Sequence, residues 1–276
     1  RWNLNERYWE NLQGSLPALS STEVLSLTDS LKAAGLSGQL DATTLLEAAP
    51  LFVNLDDRQV ATAPMGTLSF VRDHLLEDSL LPNLETFSQE LYHERFEKLG
   101  FGIEKNAPSS DEDKLMRQSL LGFLAFTAKA PAVRKKLQAW GNTYLGIGKK
   151  NALAPQAVDS NLASTALRTA IQDGELSTLQ AALAHLKEAS NPMIRSQLLA
   201  GIGAANTPEK SQLVRELLLG ESLRSSERSR LLGRHMSVRE NTLSVWTWVQ
   251  KNYAAIAKAI PTSHLGYFPY VASGFC

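Results

Sequence analysis

The stretch Tyr92-His93-Glu94-Arg95-Phe96-Glu97 holds the residue types of a metal-dependent hydrolase helix. An imidazole and a carboxylate one helical turn apart can share a cation, and His-Glu opens the zinc motif His-Glu-x-x-His. Glu97 stands where the second histidine belongs, so the turn presents one imidazole and one carboxylate. A solvated helix face is the reading this spacing favours. His74, His185, His235 and His264 lie far from His93 and from one another in sequence. Cys276 is the single cysteine, which allows neither an internal disulfide nor a thiolate zinc site. Leu99-Gly100-Phe101-Gly102 and Gly146-Ile147-Gly148-Lys149-Lys150 are glycine-rich, but neither follows a strand as a phosphate loop must. No Gly-x-Ser-x-Gly elbow occurs. The run Ser225-Ser226-Glu227-Arg228-Ser229-Arg230 reads as a helix start. The residues alone therefore predict a scaffold with no catalytic residue, no metal ligand set and no cofactor of its own.

The elements that would position any site are helical by period. From Arg239 to Ile260, apolar residues fall at Leu243, Trp246, Val249, Tyr253, Ile256 and Ile260, one side of an α-helix. Asn241 is placed to cap this helix and Pro261 to end it. Earlier in the chain, Ser20-Ser21-Thr22-Glu23 reads as a capping box for a helix ending at Gly35. A helix is expected over 41–52. Another spans 56–76, with a kink or break at Pro64. A helix from Pro82 to Lys98 precedes a loop over 100–110, and Ser109 with Glu112 forms a box for the next. Pro131 opens a helix with Val133, Leu137, Trp140 and Tyr144 in one stripe. The loose segment 146–156 is the candidate hinge. Short helices then follow over 161–172, 175–188, 192–204, 208–219 and 225–234, punctuated by Asp173-Gly174, Asn191-Pro192 and Thr207-Pro208. Leu176, Leu179, Leu183 and Leu186 show the inner face expected of them.

This pattern predicts an all-α fold: an irregular right-handed superhelix of antiparallel helix pairs, a HEAT- or armadillo-like solenoid. Only Arg1-Trp2-Asn3-Leu4-Asn5 alternates as a strand does, and a lone strand implies a chain cut from something larger. Twenty-eight basic residues balance 28 acidic ones, so charge gives no reason to expect a nucleic acid. No apolar run approaches the length of a membrane span. The compartment stays open.

Val245-Trp246-Thr247-Trp248-Val249-Gln250-Lys251-Asn252-Tyr253 resembles a stretch near the end of zinc aminopeptidases of the aminopeptidase N and endoplasmic-reticulum aminopeptidase type, the gluzincins. There it reads roughly Ala-Trp-x-Phe-Leu-x-x-Asn-Trp. Leu223-Arg224-Ser225-Ser226-Glu227 is similar to the family's Ile/Val-Arg-x-Gln-Asp/Glu, with Ser226 in place of the glutamine. Leu99-Gly100-Phe101 and the run from Asp113 to Leu121 are similar to its Leu-Gly-Trp and Asp-x-x-Leu-Arg-x-x-Leu-Leu. Arg1 to Asn5 followed by Trp9 resembles the strand leaving the β-sandwich that precedes its helical domain, and Phe275-Cys276 its last helices. One departure is clear. The family's Asn-Pro-x-Gly-Arg is here Val238-Arg239-Glu240-Asn241-Thr242.

The resemblance implies the C-terminal α-helical domain of such an enzyme, a bacterial one being expected. Residues 1–8 would be the exit strand of the preceding β-sandwich domain and 9–276 the helical domain. The parent would release N-terminal residues from peptides with a zinc held by an upstream domain, because no His-Glu-x-x-His motif lies in this chain. This domain would close a chamber over that site, with the upstream catalytic and β-sandwich domains and the peptide as partners. Arg224 is the leading candidate for gripping a peptide carboxylate or backbone, with Arg117 and Arg239 on the same wall. A guanidinium holds a carboxylate through two parallel hydrogen bonds. The competing reading has Arg224 pair with Glu227 on the helix surface. An alternative for the whole chain is a stand-alone helical-repeat scaffold that binds a partner protein.

Overall fold

The computed structural model describes residues 6–102, 110–149, 152–260 and 262–266, and every regular element among them is helical. The chain divides into two compact units, 1–130 and 131–276. Unit 1 contains α1 (Glu6–Ser15), α2 (Ser21–Leu36), α3 (Ala42–Ala48), α4 (Pro50–Val53), α5 (Arg58–Phe70), α6 (Leu81–Leu99) and α7 (Asp111–Phe126). Unit 2 contains α8 (Pro131–Tyr144), α9 (Ser160–Asp173), α10 (Leu176–Glu188), α11 (Pro192–Ile202), α12 (Pro208–Leu219), α13 (Ser225–Met236), α14 (Thr242–Ala259) and α15 (Thr262–Leu265).

Helix starts in unit 1 follow local side-chain chemistry. Ser20 and Glu23 exchange bonds with each other's backbone, as the capping box predicts. Asp41 and Asp57 cap α3 and α5. The box expected at Ser109 and Glu112 forms one residue later, between Ser110 and Asp113. Leu16, Val24, Leu27, Ala48, Phe52 and Val60 make one buried apolar cluster, with Trp9, Leu12 and Leu19 packed on it. Tyr92 is fully buried, and its hydroxyl donates to the Ala61 carbonyl oxygen at 2.9 Å.

Three expectations for the chain need correction, and a fourth lies outside the described residues. The helix over 41–52 divides at Ala49, because Pro50 starts α4 and supplies no N–H to continue the first ladder. Pro64 neither ends nor breaks α5, which runs on to Phe70 with Val60, Ala61, Pro64, Met65 and Leu68 buried. The irregularity comes later, as a π-turn over Val71–Leu75 closed by Leu76 N–H on the Val71 carbonyl. The strand read at Arg1–Asn5 lies outside the described residues. Residues 6–8, assigned with it to the exit strand, belong to α1.

The boundary between the two compact units falls at Ala130 and Pro131, upstream of the candidate hinge at 146–156. The glycines that look loose instead make tight turns. Gly146 has φ 69°, and a Cβ there would collide with the Ala152 backbone. Ile147 N–H donates to Asn142 O at 2.9 Å and Ala154 N–H to Tyr144 O at 2.8 Å. These bonds tie the segment back onto α8.

In unit 2, α8 packs with α9, α10 with α11 and α12 with α13; short connections join the last two pairs, and the longer segment 145–159 joins the first. The rows continue through α9 to α11 and α11 to α13. Helices α8 and α9 approach closely because residue 141 is glycine: a Cβ there would lie 2.6 Å from the Ala170 Cβ. No described helix is long and apolar enough to cross a membrane.

Candidate functional site

The turn between α12 and α13 carries Arg224, and its geometry starts from a buried ion pair that sequence spacing does not reveal. Arg195 on α11 and Glu227 on α13 are 32 positions apart. Arg195 Nε donates to Glu227 Oε1 and Nη2 to Oε2, both at 2.7 Å, in the parallel fork a guanidinium makes with a carboxylate. Arg195 is 6% exposed and Glu227 8%. The remaining Arg195 donors reach backbone carbonyls. Nη1 donates to Leu186 O at 2.8 Å and Ala189 O at 3.0 Å, and Nη2 also to Ser222 O at 3.2 Å. All five N–H groups of one side chain are engaged, as burial of a charge demands. The bonds from Arg195 hold the Glu227 carboxyl below its usual range despite burial.

Arg224 stands at the N-cap of α13 with extended backbone, φ −68° and ψ 149°. Its N–H donates to Glu227 Oε2 at 2.9 Å. The side-chain pairing of Arg224 with Glu227 is therefore not what forms: Arg195 takes the carboxylate, and Arg224 contributes its backbone. The Arg224 side chain is exposed, and its Nη2 donates to Ser190 O at 3.4 Å.

Arg117 and Arg239 sit elsewhere. Arg117 belongs to α7 in unit 1, is half-buried, and donates from Nε to Leu99 O at 3.1 Å. It serves the turn after α6, where a Cβ on Gly102 would meet its guanidinium at 2.7 Å. Arg239 lies half-buried in the 3-10 turn before α14. Of the three candidates, only Arg224 presents an exposed side chain.

Other cations in unit 2 are placed by burial. Lys210 is 5% exposed and donates to Ile171 O, Gln172 O and Gly174 O at 2.8, 3.2 and 2.7 Å, closing the C-terminal end of α9. Burial and the neighbouring Arg234 charge push the Arg168 guanidinium down to about 10, and Arg230 acts on Arg234 in the same sense. Arg230 and Arg234 are one helical turn apart, but the Lys210 and Arg168 neighbours lie tens of residues away and leave no sequence signature.

Helix α14 turns inward part of the face its spacing suggests, with Val245 added to it. Val245, Val249, Ile256 and Ile260 are buried, whereas Leu243 is 71% and Tyr253 51% exposed. Asn241 does not cap the helix with its side chain. Its Nδ2 donates instead to the Ala205 carbonyl. The fully buried His235 lies beside it. Its Nε2 meets Ser211 Oγ at 2.8 Å and its Nδ1 faces Gly203 O at 3.3 Å. Anchored through Asn241, α14 enters with its branched residues facing the other helices.

His93 and Glu97 are exposed on α6, and Glu94 beside them pairs with Lys98 at 2.7 Å. The other histidines have separate partners: His74 stacks on Phe70, His185 meets Leu145 O and His264 meets Ser229 Oγ. Among the described residues no three His, Cys, Asp or Glu side chains gather as a metal site needs. These residues do not fit a zinc centre.

A family model described as ERAP1-like C-terminal domain matches the chain over residues 1–276. No curated protein matches it.

Proposed function

The chain belongs to the family of ERAP1-like C-terminal domains, and from that premise we propose that it is the non-catalytic C-terminal domain of a zinc-dependent aminopeptidase. The zinc and its ligands belong to an upstream domain of the parent. This domain closes the chamber over that site and touches the peptide being shortened. The match across the whole chain carries the reading. Arg224 is the peptide contact, since its guanidinium is exposed beside a rigid turn and suits a carboxylate or a peptide carbonyl.

The test is Arg224→Ala in the multidomain enzyme that this membership implies. Hydrolysis of long peptides falls about tenfold or more, the worth of one charge-assisted hydrogen bond. Cleavage of an aminoacyl-anilide, too short to reach this domain, stays unchanged. Equal loss on both substrates would reduce Arg224 to a support of the fold. If the native reading frame carries no His-Glu-x-x-His segment upstream, the scaffold reading replaces this one.

A further inference from the structure

We propose that the Arg195–Glu227 pair is the positioning device for Arg224, setting both the backbone from which that side chain leaves and the carbonyl that steadies it. The proposal rests on Arg224 being a peptide contact and adds how the contact is held. One side of the device is Glu227. Its Oε2 accepts from Arg195 Nη2 at 2.7 Å and from Arg224 N–H at 2.9 Å, so a single oxygen links the buried guanidinium to the residue 224 backbone. The other side is the turn after α10. Arg195 Nη1 holds Leu186 O and Ala189 O, and the next carbonyl, Ser190 O, receives the Arg224 guanidinium at 3.4 Å. Arg195 Nη2 also holds Ser222 O, two residues before Arg224.

The segments on either side of Arg224 are thus fastened to one fully engaged side chain. An exposed arginine samples many rotamers, and ordering it on binding costs free energy. Fixing its backbone and its resting acceptor beforehand lowers that cost. Arg195 and Glu227 act through Arg224 and do not touch the peptide.

The experiment measures affinity of the chain for a long peptide with a free C-terminal carboxylate, by calorimetry. It compares Arg224→Ala, Glu227→Gln, Arg195→Lys and the double variant Arg224→Ala/Glu227→Gln. Far-UV circular dichroism checks each fold. Glu227→Gln is expected to weaken binding about tenfold, as Arg224→Ala does, and the double variant to bind no worse than Arg224→Ala alone. That non-additivity is something a general loosening of the fold would not produce. Arg195→Lys, which keeps the charge but not the fork, serves in the same cycle should Glu227→Gln unfold. Additive losses overturn the proposal, as does full affinity in a folded Glu227→Gln chain. Loss of the fold in both substitutions would show the pair to be structural only. No effect of Arg224→Ala itself would instead refute the peptide contact beneath it.

Discussion

The two units bury different kinds of polar residue. Among the described residues of unit 1 the buried polar side chains are Ser30, Arg72, Ser88 and Thr127. In unit 2 they include Arg195, Lys210, Ser211, Glu227, His235 and Asn241, linked in pairs and networks across helices. Unit 1 starts its helices with short caps, each within three residues of its partner, and closes the ends of α4 and α6 with the half-buried Arg95 and Arg117. Unit 2 has such caps at Asn191 and Thr207, but closes other ends with long cations that are themselves buried, Arg195 and Lys210. A short cap at the surface is a small, local stabilisation. A buried charge held by several acceptors is costly to disturb, because removing one partner strands the other away from water. The comparison predicts that unit 2 depends on a few residues and that unit 1 spreads its stability over many.

The largest expected effect is at the ion pair. Glu227→Ala leaves the Arg195 charge buried without its carboxylate and should lower unfolding free energy by ~3–5 kcal/mol in denaturant titration. A loss below ~1 kcal/mol would put the pair in the class of a surface cap and erase the contrast between the units.

Next in size is a pH effect at His235. Burial is the main cause that pushes this imidazole down to about 4, and the nearby Arg215 charge adds to it. The unfolded chain titrates near ~6.5. Because the folded value is the lower one, the unfolded state binds more protons between the two. The contribution is therefore complete above the unfolded value and is lost as pH falls through the window between about 6.5 and about 4. The slope is about 1.4 kcal/mol per pH unit, or ~3 kcal/mol over the window. Stability measured against pH should flatten there in His235→Asn. An unchanged slope would mean that His235 is hydrated in solution.

Lys210→Met keeps most of the stem but leaves three carbonyls at the end of α9 without their donor. A loss of ~2–3 kcal/mol is expected in thermal unfolding. The smallest effect belongs to unit 1: Ser110→Ala removes one surface cap and should cost ~1 kcal/mol. If Ser110→Ala proved as damaging as Lys210→Met, the two units would differ in chemistry but not in how stability is distributed.

What was legible in the sequence follows the same division. The helical class, the Ser20–Glu23 box and the starts of α8, α11, α12 and α13 could be read because each signal lies within a few residues. At Ser109 and Ser110 two overlapping boxes were available, and sequence alone cannot rank them. The inward face of α14 was legible in part: Val249, Ile256 and Ile260 are buried as the spacing predicts, whereas Leu243 and Tyr253 are exposed and Val245 is buried. Large rings need not be fully buried. Asn241 was read as a cap, its commonest local role, and was claimed instead by a carbonyl 36 residues away. Arg224 was singled out by resemblance, but Arg195, which holds the turn around it, carried no local signal at all.

The central claim, that this domain contacts peptide without hydrolysing it, is tested most directly by one mixture. The chain is incubated with zinc and a long peptide, its amide resonances are followed by NMR, and the peptide is weighed by mass spectrometry afterwards. The account predicts shifts centred on residues 190 and 222–227 and a peptide of unchanged mass. A shortened peptide, or an intact one that leaves those resonances unmoved, would contradict it.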